Sequence, residues 1–135
     1  MSLSFRVDLD NLFVEAQATN PDYSASFDVT KYVGNIFLNV ACNASGTDTP
    51  AITVEHSADN STFTSVPAAA LFNLATGAAD TFTTPTASTA QDETLGLVRQ
   101  QLYKYVRVVL TGAVSSARTF SITAGGMPQY TESIA

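Results

Sequence analysis

A chain of 135 residues with one cysteine, no tryptophan and a formal net charge of −6 has the length of one domain and can bury a core without disulfides or metals. The lone Cys42 excludes an intramolecular disulfide framework and any multi-cysteine metal site, and six scattered Lys and Arg residues exclude the clustered phosphate contacts of a nucleic-acid binder. No apolar run approaches the length of a membrane span, and Met1–Asp8 lacks a basic segment followed by an apolar one, which predicts no secretory signal and synthesis in the cytoplasm.

In chain order, Leu3, Phe5, Val7 and Leu9 alternate with polar residues, the pattern of a half-buried strand. Asp10-Asn11 reads as a turn, and residues 12–18 read as a second strand or a short helix capped at Asp10 or Asn11. Asn20-Pro21-Asp22 is a further turn, because the residue before proline is pushed out of the helical region; it separates an N-terminal segment, 1–20, from a body, 21–128. Ser24–Tyr32 carries Ala25, Phe27, Val29 and Lys31 on one parity, and Asn35–Cys42, apolar on both faces, is predicted to be a central strand. Asn43–Pro50 is a loop. Ala51–Ser57 and Thr62–Val66 form a hairpin around Ala58–Ser61, ended by Pro67, which cannot donate to a ladder.

Residues 68–94 are weakly patterned and read as a long loop with one strand near Thr81–Thr83. Leu102–Leu110 alternates an apolar face (Leu102, Val106, Val108, Leu110), broken by Lys104, with a face of Tyr103, Tyr105 and Arg107. Gly112–Ser116 turns it into Ala117–Ala124 as a last hairpin, and Gly125–Pro128 breaks that strand and frees a short tail, 129–135. About eight short strands with almost no helix predict an all-β fold: a single β-sandwich, jelly-roll-like or immunoglobulin-like.

Residues with chemical potential are few. His56 has no second histidine or nearby cysteine as a partner, so it reads as a packed or rim side chain rather than a ligand or base. Cys42 ends an apolar run and reads as a buried thiol. The acid pairs Asp8/Asp10 and Asp92/Glu93 sit in turn-like contexts rather than flanking a bond as glycosidase acids do. Asp59-Asn60-Ser61 lacks the spacing and distal Glu of a calcium loop. Tyr103, Tyr105 and Arg107 could stack a sugar or anchor a protein. The residues therefore predict no enzyme, no cofactor and no metal.

The run Ile52-Thr53-Val54-Glu55-His56-Ser57-Ala58-Asp59-Asn60-Ser61-Thr62-Phe63-Thr64-Ser65-Val66-Pro67, with the later Tyr103-Lys104-Tyr105-Val106-Arg107-Val108-Val109-Leu110, resembles small proteins encoded among the head genes of tailed bacteriophages. The likeness covers about residues 36–125, with Phe63 standing where that family often has Trp. The resemblance implies a capsid cement or decoration protein on the outer surface of the virion. Such a protein is a β-sandwich that clamps neighbouring major capsid protein subunits, as a homo-oligomer with a trimer favoured. Similar sandwiches serve as fibre, tail and baseplate modules, so a receptor- or carbohydrate-binding role carried by loops 43–50 and 77–94 is the alternative. Leu3, Phe5, Leu9, Leu12 and Phe13 then form a candidate partner-binding arm, or else an ordinary first strand.

Overall fold

The computed structural model describes residues 8–116 and 118–128, and these form a β-sandwich of two antiparallel sheets. The strands are β1 (Asp8–Ala16), β2 (Asp22–Tyr23), β3 (Phe27–Asp28), β4 (Tyr32–Cys42), β5 (Ala51–Ser57), β6 (Thr64–Ser65), β7 (Leu71–Asn73), β8 (Gln91–Leu97), β9 (Tyr105–Thr111) and β10 (Thr119–Pro128). Sheet A has the order β1-β10-β4-β8-β7, and sheet B has β2-β9-β5-β6 with β3 also on β9. Single 3₁₀ turns at Val29–Lys31, Ala68–Ala70 and Arg99–Gln101 complete the described elements.

The pairing follows one rule. The first strand pairs with the last, β2 and β3 with β9, β4 with β8, and β5 with β6. This is a long double ribbon rolled up so that successive arms fall in alternate sheets, which is the jelly roll. In an immunoglobulin fold the first two strands would share a sheet; here β1 and β2 do not. β2 and β3 are two halves of one strand along β9. Between them Ser24 accepts the Val108 N–H on its hydroxyl while its own N–H donates to Val108 O. Counted so, the ribbon has eight strands, and β7 is an addition on the free edge of β8.

Period-two alternation places Ile36, Leu38, Val40 and Cys42 of β4 and Phe120, Ile122 and Ala124 of β10 against Ile52 and Val54 of β5 and Val106, Val108 and Leu110 of β9. All are buried. β4 is the middle strand of its sheet, as its two apolar faces predict.

Several local expectations are corrected. Asp10-Asn11 is no turn: β1 runs through it, because the Asp10 carboxylate accepts hydrogen bonds from the Tyr32 hydroxyl and Lys31 Nζ. Burial first, and then Asp10 itself, push the Tyr32 phenol above its ordinary range and keep it a donor. No helix forms over 12–16, and a bulge between Asn11 and Phe13 shifts the strand's parity. Ser24–Tyr32 is not one strand: it holds β3, a 3₁₀ turn and the first residue of β4, and β2 ends just before it. There is no strand at Thr81–Thr83, where Phe82 instead plugs the core from a loop, and a full strand, β8, begins at Gln91. β9 and β10 are not a hairpin but cross between sheets. Gly125-Gly126 does not break β10, which continues to Pro128.

The corner at Asn20-Pro21, a cis peptide, is fastened to the end of β9. Gln17 Nε2 donates to Gly112 O at 3.0 Å, and the Gly112 N–H donates to Asn20 Oδ1 at 3.0 Å.

Candidate interaction surface

The outward faces of the two sheets differ in what they leave open. On sheet B, Arg107 pairs with Glu55 across the ladder, and its Nε and Nη2 donate to Glu55 Oε1 at 3.0 and 2.8 Å. The guanidinium lies 4.0 Å from the ring centre of Tyr23, from edge strand β2, and 3.9 Å from that of Phe63, before β6. Both faces and one edge of this planar cation are thus occupied within the chain, and the arrangement staples the two margins of the sheet over its middle. Tyr105 shares this face, with Lys104 Nζ 5.3 Å from its ring centre. Tyr103 does not, because it precedes the strand and stacks on His56 with ring centres 4.3 Å apart. His56 Nδ1 accepts the Tyr103 N–H at 3.0 Å, and burial holds the imidazole below its ordinary pKa, so the neutral ring serves as a rim packer.

Sheet A presents the opposite case. One lateral row crosses all five strands: Leu9 opposite Gly125, Gly125 opposite Phe37, Phe37 opposite Gly96, and Gly96 opposite Phe72. The two glycines are spaces for the neighbouring rings. A Cβ at Gly96 would stand 2.1 Å from the Phe72 ring, and one at Gly125 would stand 2.3 Å from Phe37 and 2.8 Å from Leu9. Large side chains lie flat over glycine, which gives a smooth apolar row with no charge in it. With strands about 4.8 Å apart the row is about 19 Å wide. A single row of side chains that wide covers only a small part of the ~800 Å² that one side of a standard interface buries, so flanking rows must contribute.

They are available. Leu9 at the end of the row is 61% exposed, and Met127 at 50% and Val33 at 48% pair with each other on one side of it; Val14, 63% exposed, stands opposite Ser121 on the other side, beyond the Asn11–Thr123 pair. A shallow hollow lined by Asn35, Ala69, Phe72, Gly77, Ala79 and Val98 continues the surface. The next row is polar: Asn39 Nδ2 donates to Asp92 Oδ1 at 2.6 Å and to Thr94 Oγ1 at 2.8 Å, and Thr123 pairs across to Asn11. An apolar centre with a hydrogen-bonded polar margin is the anatomy of a protein interface.

The sequence-predicted arm divides. Leu3 and Phe5 lie outside the described residues, as does the tail 129–135. Leu9 belongs to the exposed row, whereas Leu12 and Phe13 are in the core. The bulge causes the split, since it brings Phe13 into register with inward-facing Ile122 and leaves Leu9 opposite Gly125. Phe37, Phe72 and the two glycines were missed at the sequence level. The available signal was a glycine facing a lone aromatic across a ladder, which requires the register.

The acid pairs serve structure. Asp10 is bonded to Tyr32 and Lys31, Asp92 to Asn39, and Glu93 Oε2 accepts the Thr83 N–H at 3.0 Å. Asp59 Oδ1 accepts from Ser57 Oγ and from the N–H groups of Ser61 and Thr62, which shapes the β5–β6 turn. Among the described residues no group of three or more His, Cys, Asp or Glu side chains is placed to hold a metal, and Cys42 is buried.

A further functional element had no signal in sequence. Arg118, 1% exposed, donates from Nε to Asn43 O at 3.0 Å, from Nη1 to Asp48 O at 2.9 Å, and from Nη2 to Thr89 O. It clamps the 43–50 loop and the stretch at Thr89 together at one end of the sandwich. Asp48 completes the clamp: its Oδ1 accepts from the N–H groups of Ser115 and Ser116 and from Ser115 Oγ. The Ser116 donor, with Ser115 and the charge of Arg118, holds this carboxyl below its ordinary range against the opposing effect of burial.

No protein-family model, no curated protein and no solved structure matches this chain.

Proposed function

We propose that this chain is a non-enzymatic structural protein of a tailed-phage virion, a capsid cement or decoration protein that binds across major capsid protein subunits as a homo-oligomer, with a trimer favoured. The observation that carries the reading is the uncharged row Leu9-Gly125-Phe37-Gly96-Phe72, flanked by exposed Val33 and Met127. A smooth apolar strip with a polar margin fits a protein surface, and it offers a small ligand no enclosing walls. The resemblance of residues 36–125 to phage head proteins supplies the partner class.

Cementing follows from mass action. A module that binds only the assembled lattice stabilises it by RT ln(1 + [L]/Kd), where [L] is its free concentration. An oligomer touching several subunits at once gains further from effective concentration, without new contacts. Each copy needs only a modest interface, and the stabilisation grows with copy number.

A second reading, a receptor- or carbohydrate-binding fibre or tail module, is favoured by the Arg118 clamp, which fixes loop 43–50 and the Thr89 segment as a rigid end. Copy number in purified virions separates the two. Hundreds of copies, stoichiometric with the major capsid protein, are the expected result. A handful would favour the fibre or tail module, and absence would overturn both.

A further inference from the structure

Where the two sheets end, at β7 of sheet A and β6 of sheet B, a pocket opens onto the core. About 190 Å³ in volume, it is lined by Ile52 and Val54 of β5, Leu71 of β7 and Phe82, all of them buried, and by partly buried Val66. Backbone bonds fix its walls on both sides: Val66 N–H donates to Val54 O at 3.1 Å, and Asp80 N–H to Leu71 O at 3.1 Å. The volume falls below the ~300–1,000 Å³ of drug-sized sites. It suits a group the size of one side chain.

Charge and shape together select a ligand class. Among the described residues that line the pocket, half-buried Asp80 is the only charged one. Its carboxylate accepts the Thr81 N–H at 2.8 Å on Oδ1 and Asn73 Nδ2 at 3.4 Å on Oδ2. Both donors are neutral and the second bond is long, whereas an ionised carboxylate has about four acceptor sites. Room for a cation therefore remains on it. Thr53, Ser65 and Thr81 bring hydroxyl acceptors to the same pocket, and scattered acceptors match the rotatable N–H bonds of an ammonium better than the fixed fork of a guanidinium. An aliphatic stem on apolar surface with its charged head at the rim is how such a chain partitions between protein and water.

We propose that this pocket binds a primary alkylammonium group, with Asp80 holding the ammonium and Val54, Val66, Leu71 and Phe82 packing the unbranched aliphatic stem. The site is separate from the apolar row on sheet A and does not depend on the capsid reading.

Amide NMR of the full chain at neutral pH tests it, with n-butylamine as the probe and n-butanol and tetramethylammonium as comparators that lack the charge or the stem. n-Butylamine is expected to give saturable shifts centred on Val54, Val66, Leu71 and residues 80–82, and the comparators to bind more weakly. Asp80→Asn, which keeps an acceptor for the Thr81 N–H, is expected to weaken n-butylamine binding by about fivefold, the scale of an ion pair at a half-exposed carboxylate. Nα-acetyl-lysine N-methylamide separates the two sources of the group: the same shifts support the site with a protein's lysine side chain as its occupant, and their absence beside bound n-butylamine supports it with a free amine. The proposal is overturned if n-butylamine produces no saturable shifts, if n-butanol or tetramethylammonium binds as well, or if a folded Asp80→Asn binds like the parent chain. Should Asp80→Asn disturb the fold, the comparison of n-butylamine with n-butanol on the parent chain decides.

Discussion

Arg118 shows how much one side chain can hold in a small β domain. Its three carbonyl acceptors lie on two segments, the 43–50 loop and the stretch at Thr89, and a buried guanidinium is favourable only with every donor paired and an opposite charge nearby. Arg118→Met removes the cation, orphans three carbonyls and leaves Asp48 buried without its counter-charge. The expected loss in urea unfolding is about 3–5 kcal/mol, a large share of the ~5–15 kcal/mol typical of a domain. Asp48 gives a pH signature. Its folded pKa is depressed below the ordinary 3.8, so its contribution is fully present above that value and is lost as pH falls through the folded pKa. Asp48→Asn keeps an acceptor for Ser115 and Ser116 but removes the charge. Its deficit relative to the parent chain is expected to be on the order of 1 kcal/mol at neutral pH and to shrink as both are acidified. A deficit independent of pH would rule out the charge as the cause. None of this was legible in sequence, where Arg118 is an isolated basic residue before a strand and its acceptors are backbone atoms of distant loops.

At the scale of elements, period-two alternation revealed what has one clean inward face. β5, β9 and most of β10 appear near their predicted positions because their apolar residues fall on alternate positions between turn signals. β8 was hidden, since Gln91-Asp92-Glu93-Thr94 opens it with four polar residues and Gly96 interrupts its apolar end. The exposed row was hidden for a related reason: glycine usually signals a break, yet Gly96 and Gly125 lie within strands because aromatic rings cover them. Gly125→Ala forces Phe37 and Leu9 from their places and is expected to cost about 1–3 kcal/mol, as overpacking does. Adding Phe37→Ala should restore part of that loss, because the clash then loses one partner; strictly additive effects in a double-mutant cycle would show that the ring does not sit on the glycine. The bulge in β1 is the third such case, since only a register reveals that Leu9 and Phe13 face opposite sides.

For the whole molecule, the jelly roll was within reach of the sequence, because many short strands with little helix leave few architectures. The choice against an immunoglobulin topology was not, since it depends on β1 pairing with β10, more than a hundred residues away. Such a topology supports many functions, and the asymmetry of its two faces is what favours one here. Sheet B closes over Arg107 with its own aromatics, whereas sheet A leaves an apolar row and its flanks in solvent. The surface that assembly would use is therefore on sheet A, and a charge placed in its centre should abolish docking while the core is untouched. The most direct measurement is a saturation isotherm of the purified chain on heads lacking it, run for the parent sequence and for Phe37→Glu, with unfolding of both checked in parallel. The account predicts saturation by the parent at a fixed ratio to the major capsid protein and no saturable binding by a folded Phe37→Glu. Equal saturation by the two, or no binding by the parent, would contradict it.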